Sequence, residues 1–414
     1  MNIPIIDFHA HICDPNNISQ VVDILFSRYL HTCLDPDIYK KYTQIRSKVK
    51  SACDEKERKI EMENLSSFSK NLGLHSLRAR FEGQLLTIPA FSEFLRYMAR
   101  SHSCAPDIVL IDKAMTEELK NPRKYHTDVL NRENIVRVIL DLFGENTISD
   151  SFPAEKASWV YRIDKMLQPS WVIDKGFTSL NQVSEYIIDD LHSVVKKGCI
   201  GFKSAMAYSR TVELSNPTQQ QANDALRELL NNPNNTFKNL IVYQDYLIRQ
   251  ILIEAGLLDM PFLYHLGPGG PSPRPDSRNL DPDGLRSILD DPNMRKTRIV
   301  ILHCGYPHTE KAAIMGYQYS NFYIDLSVPI FFHGYLERCL ITLLQFTPHQ
   351  KLFYGSDAYH TPETYAFDAY FFKKTIKNVL TRLKNRYNMP EEEMKTICTR
   401  IFHENAKSFL KLKI

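Results

Sequence analysis

The 414-residue chain lacks several features that would each mark a different protein class. Its eight cysteines, at 13, 33, 53, 104, 199, 304, 339 and 398, form no Cys-x-x-Cys pair and no regular framework. That argues against a disulfide scaffold and for free thiols in a reducing compartment, so a cytoplasmic location is expected. No charge sign dominates. The 51 Lys and Arg against 48 Asp and Glu leave a net charge of +3, too little to suggest nucleic acid or an anionic membrane as a partner. No apolar run approaches the roughly 18 residues of a membrane span. The first residues lack a basic stretch followed by an apolar core and a small-residue cleavage site. Neither GxGxxG nor GxxxxGK[ST] occurs, so nucleotide-binding folds lose support.

What the chain does contain is a series of short apolar runs that each close on polar residues. They lie at 3–8, 108–112, 158–164, 199–205, 261–265, 298–303, 322–326 and 351–357. From the third onward, each is followed by a segment of helical periodicity: Leu180–Lys197, Ala222–Leu230 with Leu240–Ala255, Gly284–Leu289, Phe332–Leu344 and Thr364–Leu383. Alternating strands and helices predict a parallel sheet with right-handed crossovers. Eight such units predict an α/β fold of the closed (β/α)8 TIM-barrel type. The long gap after the first run is helical in pattern over Ile18–Arg100. It is read as a helical insertion after the first strand, spanning 15–105 within one barrel domain of 1–414. A cap over the active-site face and a peripheral packing role both stay open for it. Gly267–Asp283, rich in Pro, Gly, Ser and Asp, is read as a loop.

The chemistry is expected where the strands end. His9 and His11 close the first run, and side chains two apart on a strand share a face. Two imidazoles on one face can grip a metal ion. Later runs end in Lys203, His265, His303 and Asp357. A barrel gathers such ends at one mouth. Zinc and related ions take three or four N and O ligands and acidify bound water, and a neighbouring carboxylate can move the proton. For Lys203, a structural ion pair and a carbamate formed with CO2 are equal readings. Asp7 could orient an imidazole. Arg162 and Arg278 could each clamp a substrate carboxylate, or form a structural salt bridge. Tyr208, Arg210, Tyr306, His308 and His360 follow strand ends and are candidates to line a pocket.

These residues resemble the amidohydrolase superfamily of metal-dependent barrel enzymes. The strings Gly201–Tyr208, Ile301–Pro307, Tyr323–Ser327, Tyr354–Asp357 and Ile401–Ala406 are similar to its amidohydrolase-related branch, most of all to the nodulin/FluG type. The resemblance covers 1–14 and about 157–413 and leaves the insertion aside. It implies His9, His11 and His265 as metal ligands. His303 would ligate a second metal or polarise a carbonyl. Asp357 would be both ligand and general base, and Lys203 would stand where binuclear members carry a carboxylated lysine. Arg162, Arg278 and Tyr208 are the substrate-binding candidates. One or two divalent ions are implied, zinc first and manganese second. The expected reaction is hydrolysis of an amide, with a γ-glutamyl amide suggested by the glutamine-synthetase fusions of relatives, or of a related ester. A decarboxylase or hydratase is the alternative. The opening string followed by a helical insertion is also similar to uronate isomerases. A small-molecule substrate is expected, with a homo-oligomer left open.

Overall fold

In the computed structural model the described residues are 3–12, 20–23, 25–26, 30, 34–51, 55–145, 147–231, 237–268, 275–328, 330–359 and 361–414. Eight parallel strands follow one another in chain order. They are β1 (Ile5–His11), β2 (Ile135–Asp141), β3 (Ala157–Arg162), β4 (Cys199–Ser204), β5 (Phe262–Tyr264), β6 (Ile299–Ile301), β7 (Phe322–Asp325) and β8 (Leu352–Phe353). Each pairs in parallel with the next. Backbone hydrogen bonds also join β1 to the chain leaving β8: Phe8 N to Tyr354 O at 2.9 Å, Asp357 N to His9 O at 2.8 Å and His11 N to Ala358 O at 2.9 Å. The result is the TIM barrel the sequence predicts.

All eight strands contribute to one apolar cluster, as only a barrel interior permits: Ile6, Ile139, Val160, Ile200, Leu263, Val300, Tyr323 and Phe353. The opposite strand faces carry a second set, including Val138, Leu140, Phe202, Phe262, Tyr264, Ile299, Ile301, Ile324 and Leu352. These pack against helices such as Leu180–Lys196, whose Val183, Ile187, Leu191 and Val194 recur at helical spacing. The helix starts in a capping box formed by Ser179 and Gln182.

The run at 108–112 is not a strand. It opens the helix Ile108–Glu118, where Asp107 accepts hydrogen bonds from Val109 N and Leu110 N as N-cap. Val109 and Leu110 are exposed, whereas Ile111 and Met115, one helical turn apart, are buried. The second strand is Ile135–Asp141. It follows the helix Pro122–Arg132 directly, and Arg137 interrupts its apolar run. The correction moves the second strand's polar terminus to Asp141.

The chain divides into two compact units. One comprises 1–15, 121–269 and 274–414 and holds the barrel; the other comprises 16–120 and 270–273. The second is helical, with Pro36–Ser51, Glu55–Asn71, Leu74–Leu86, Pro89–Ser101 and Ile108–Glu118. The helix Pro89–Ser101 begins with proline at a position needing no N–H donor and buries Phe91, Phe94, Leu95 and Met98. Among the described residues no helix is long and apolar enough to cross a membrane.

Candidate metal centre

The strand ends bring His9, His11 and Asp357 together. His11 donates from Nδ1 to the carbonyl oxygen of Asp141 at 3.2 Å, so its Nε2 carries the lone pair. That Nε2 lies 3.4 Å from Asp357 Oδ1, and His9 Nε2 lies 3.4 Å from the same oxygen. Ligand bonds of about 2.0–2.1 Å in tetrahedral geometry place donor atoms roughly 3.3–3.4 Å apart. His9, His303 and Asp357 also offer ligand atoms within 4.8 Å of one another. The donor set fits one divalent cation.

His265 and His303 meet beside this group, with His303 Nε2 and His265 Nδ1 3.0 Å apart. His265 Nε2 faces the Gly267 carbonyl at 3.2 Å. Burial, then the facing His303 and Lys203, hold His265 well below its usual pKa. A neutral ring has one N–H for these two contacts. A cation on this face would balance the electron pairs left over.

The electrostatics favour neutral imidazoles around an ionised carboxylate. Burial pushes His303 down to about 4. Burial and the Lys203 charge lower His9 strongly. Burial alone would raise Asp357, but His303 and the contacts with His11 and His9 outweigh it and hold its carboxyl well below the usual range. Neutral nitrogen donors and an ionised oxygen donor are what a metal ion requires.

Lys203 is buried and shared. Its Nζ donates to His9 Nε2 at 3.0 Å and lies 2.7 Å from Asp141 Oδ2. Arg162 reaches the same Asp141 oxygen through Nη2. Against its burial, Asp141 is held well below the usual carboxylate range by Lys203, His11 and Arg162. Asp141 thus gathers three cation-type side chains. The sequence signal for it is the apolar run 135–141, which closes on Asp141 and pairs it with His11 in the adjacent strand.

Three aspartates, Asp7 and Asp325 buried and Asp164 half-buried, hold the strand ends through serines. Asp7 accepts from Ser356 N at 2.8 Å and Ser356 Oγ at 2.5 Å. It therefore fixes the residue before Asp357 and does not orient an imidazole. His9 Nδ1 has no hydrogen-bond partner among the described residues. Asp164 accepts from Ser204 Oγ at 2.8 Å and from Ala205 N at 3.0 Å, next to Lys203. Asp325 accepts from Ser327 N at 3.0 Å, from Ser327 Oγ and from His303 N at 3.3 Å.

The backbone is unusual at the same places. Phe143, His303, Cys304 and Asp357 all have left-handed φ angles, between 54° and 61°. Non-glycine residues rarely adopt that region except where surrounding structure imposes it, often at functional sites. Gly267 is required for a steric reason: a Cβ there would lie 2.3 Å from His303 Cβ.

Beside these donors, Phe143 stacks on His11 with ring centroids 4.4 Å apart, and the Arg162 guanidinium lies 4.8 Å from the Phe143 centroid. Tyr359 meets both His11 and Phe143 edge-on. Tyr208 packs against His265 at 4.7 Å. Arg278 is placed differently: its side chain is 87% exposed and bonds Asp276, two residues away. Arg210 is buried against Asp245 at 2.6 Å, and Tyr306 stacks on Tyr335 at 3.8 Å. His308 Nε2 contacts the Ser277 carbonyl at 3.0 Å. His360, Cys13, Cys33 and Cys53 lie outside the described residues.

Neither a family model nor a curated protein matches the chain. Solved structures do. A protein named as a metal-dependent hydrolase, from Lactobacillus casei, is 16% identical with a TM-score of 0.69, over 100% of this chain and 97% of its own. Glucuronate isomerase from Caulobacter crescentus is 13% identical with a TM-score of 0.69, over 100% of this chain and 92% of its own. Uronate isomerase from Thermotoga maritima is 12% identical with a TM-score of 0.68, over 98% and 94%. This chain shares their fold. The likeness runs through the segment between β1 and β2 as well as the barrel.

Proposed function

We propose that the protein is a metal-dependent hydrolase that cleaves an amide or related ester bond of a small acidic molecule. The observation that carries this reading is the convergence of His9 Nε2 and His11 Nε2 on Asp357 Oδ1, each at 3.4 Å. His9, His11 and Asp357 would hold the ion, with His303 and His265 alongside. Zinc suits this N and O donor set best, and manganese is the second choice. A bound divalent ion supplies Lewis acidity, which polarises a carbonyl and acidifies water. Asp357, held ionised by its neighbours, takes the proton from the attacking water and returns it to the leaving nitrogen or oxygen. Lys203 stays with Asp141 and balances its charge. Arg162, whose Nε makes no hydrogen bond among the described residues, anchors a substrate carboxylate beside the Phe143 ring.

A second reading is aldose–ketose isomerisation of a uronate. It is favoured by the full-length likeness to uronate isomerases. There Asp357 would carry a proton between adjacent carbons. One experiment separates the two. The purified protein is loaded with zinc or manganese, its metal content is measured, and it is offered amides including γ-glutamyl amides, esters and uronates, with CO2 release monitored. Hydrolysis of an amide or ester supports the first reading. Uronate turnover alone, or CO2 release alone, replaces it. Failure to retain any metal would overturn both.

A further inference from the structure

We propose that Asp325 and Ser327, at the end of β7, form a relay that fixes the tautomer of His303. Neither residue has a role in the reaction described above. The relay is read from hydrogen-bond bookkeeping. Ser327 Oγ has one hydrogen and two buried partners: Asp325 Oδ1 and, at 3.0 Å, His303 Nδ1. Asp325 Oδ1 already accepts from Ser327 N and His303 N, so it serves only as an acceptor. The serine hydrogen therefore goes to Asp325. Ser327 Oγ is left with lone pairs for His303, and His303 Nδ1 must carry the ring proton. The conclusion is the same if Asp325 is protonated, because Oδ1 is filled by donors and the proton would sit on Oδ2.

His303 is fully buried, and one proton on Nδ1 leaves Nε2 bare. Nε2 belongs to the cluster with His9 and Asp357 and, without a metal, accepts from His265 Nδ1–H at 3.0 Å, which gives up the longer contact of His265 Nε2 with the Gly267 carbonyl at 3.2 Å. His303 therefore acts in the site as an electron-pair donor. It cannot donate a hydrogen bond to a substrate oxygen. That decides between the two roles the family resemblance leaves open for it, a ligand or a group that polarises the carbonyl.

Packing leaves the relay no room to rearrange. A Cβ at Gly355 would lie 2.3 Å from Asp325 Oδ2 and 2.9 Å from Ser327 Cβ. All three relay side chains, Asp325, Ser327 and His303, are fully buried. Asp325 and Ser327 are positioning residues: they touch neither substrate nor metal, and they act through the orientation and protonation of one ring.

The inference rests on the proposed site only for what Nε2 faces, so its test is made first on the metal-free protein. Long-range 1H–15N spectra of 15N-histidine-labelled protein report the tautomer, with His303 assigned by its loss in His303→Asn. The wild type is expected to show the Nδ1–H form. Ser327→Ala should convert His303 to the Nε2–H form or a mixture, and Ser327→Thr should restore the wild-type pattern. Circular dichroism melts confirm that each variant is folded. With a turned-over substrate in hand, Ser327→Ala should lower kcat about 10–100-fold, with KM changed by less than about threefold. An Nε2–H wild type, or an unchanged Ser327→Ala spectrum, overturns the relay. A wild type in the Nδ1–H form that binds no metal leaves the relay standing and removes the metalloenzyme reading.

Discussion

Lys203 and Asp141 form a buried ion pair, with Nζ 2.7 Å from Oδ2. Asp141 also holds Arg162 and His11, so the lysine is committed to a carboxylate that organises one side of the site. Removing it by Lys203→Met leaves a buried carboxylate short of its main counter-charge. Breaking such a pair costs about 3–5 kcal/mol, and denaturant unfolding should show a loss of that size. The same contact argues against carboxylation, since a carbamate on Nζ would set an anion against Asp141. Protein equilibrated with 13C-bicarbonate should show no carbamate carbon by NMR, and a resolved carbamate signal would contradict this.

The two candidate arginines should behave differently. Arg162→Met is expected to raise KM for an acidic substrate about 10–100-fold, the worth of a charge-assisted contact of roughly 1.5–3 kcal/mol. Arg278→Ala should leave kcat and KM unchanged, because that side chain is exposed and bonds only Asp276 among the described contacts. Steady-state kinetics on both variants checks the pair.

Gly267→Ala should damage the site and the fold together. Its Cβ would meet His303 Cβ at 2.3 Å, so His303 or the backbone must move. Overpacking of this kind costs about 1–3 kcal/mol, and metal retention should fall with it. Gly83 provides the contrast. It lies in the helix Leu74–Leu86 with nothing within 4 Å of an added Cβ. Gly83→Ala should stabilise by about 0.5–1 kcal/mol. Thermal melts and metal analysis of the two variants should diverge accordingly.

Burial pushes the Cys199 thiol up to about 12 and the Cys398 thiol up to about 11, from an ordinary value of 9.0. The folded state therefore keeps these protons where the unfolded chain loses them. Their contribution is fully present below about pH 9 and is lost as pH rises toward the folded values. Stability should hold from pH 7 to 8.5 and decline by about 1–3 kcal/mol near pH 10. Both thiols should resist alkylation at pH 8 while the protein is folded, whereas partly exposed Cys104 should react. Rapid labelling of Cys199 under native conditions would contradict this.

Much of the barrel was legible because its signals are local. Seven of the eight strands lie where short apolar runs close on polar residues, and His9, His11, Lys203, His303 and Asp357 come together as strand ends should. The second strand lies elsewhere than its composition suggests, because Ile108–Asp112 is strand-like in composition but is capped as a helix by Asp107. Asp141, the residue that explains Lys203, follows from the strand that is present. Asp7 was placed on the right strand, but its partner could not be read, since Ser356 is 349 positions away. The two readings of Arg278, substrate clamp or salt bridge, were both open for a related reason, and the structure pairs it with Asp276. Nothing local tells an arginine that turns into a site from one that pairs with Asp276 at the surface.

The barrel's seam has a consequence for biosynthesis. Asp357 N bonds His9 O, His11 N bonds Ala358 O, and Ser356 bonds Asp7. The contacts that close the barrel and those that gather the donors are therefore the same few residues, from β1 and from the segment leaving β8. During translation His9 and His11 emerge with β1, long before Asp357 follows β8. The complete donor set first exists only after the last strand has docked on the first. A nascent chain stalled before β8 should hold no ion at this site, so metal uptake would report closure of the barrel.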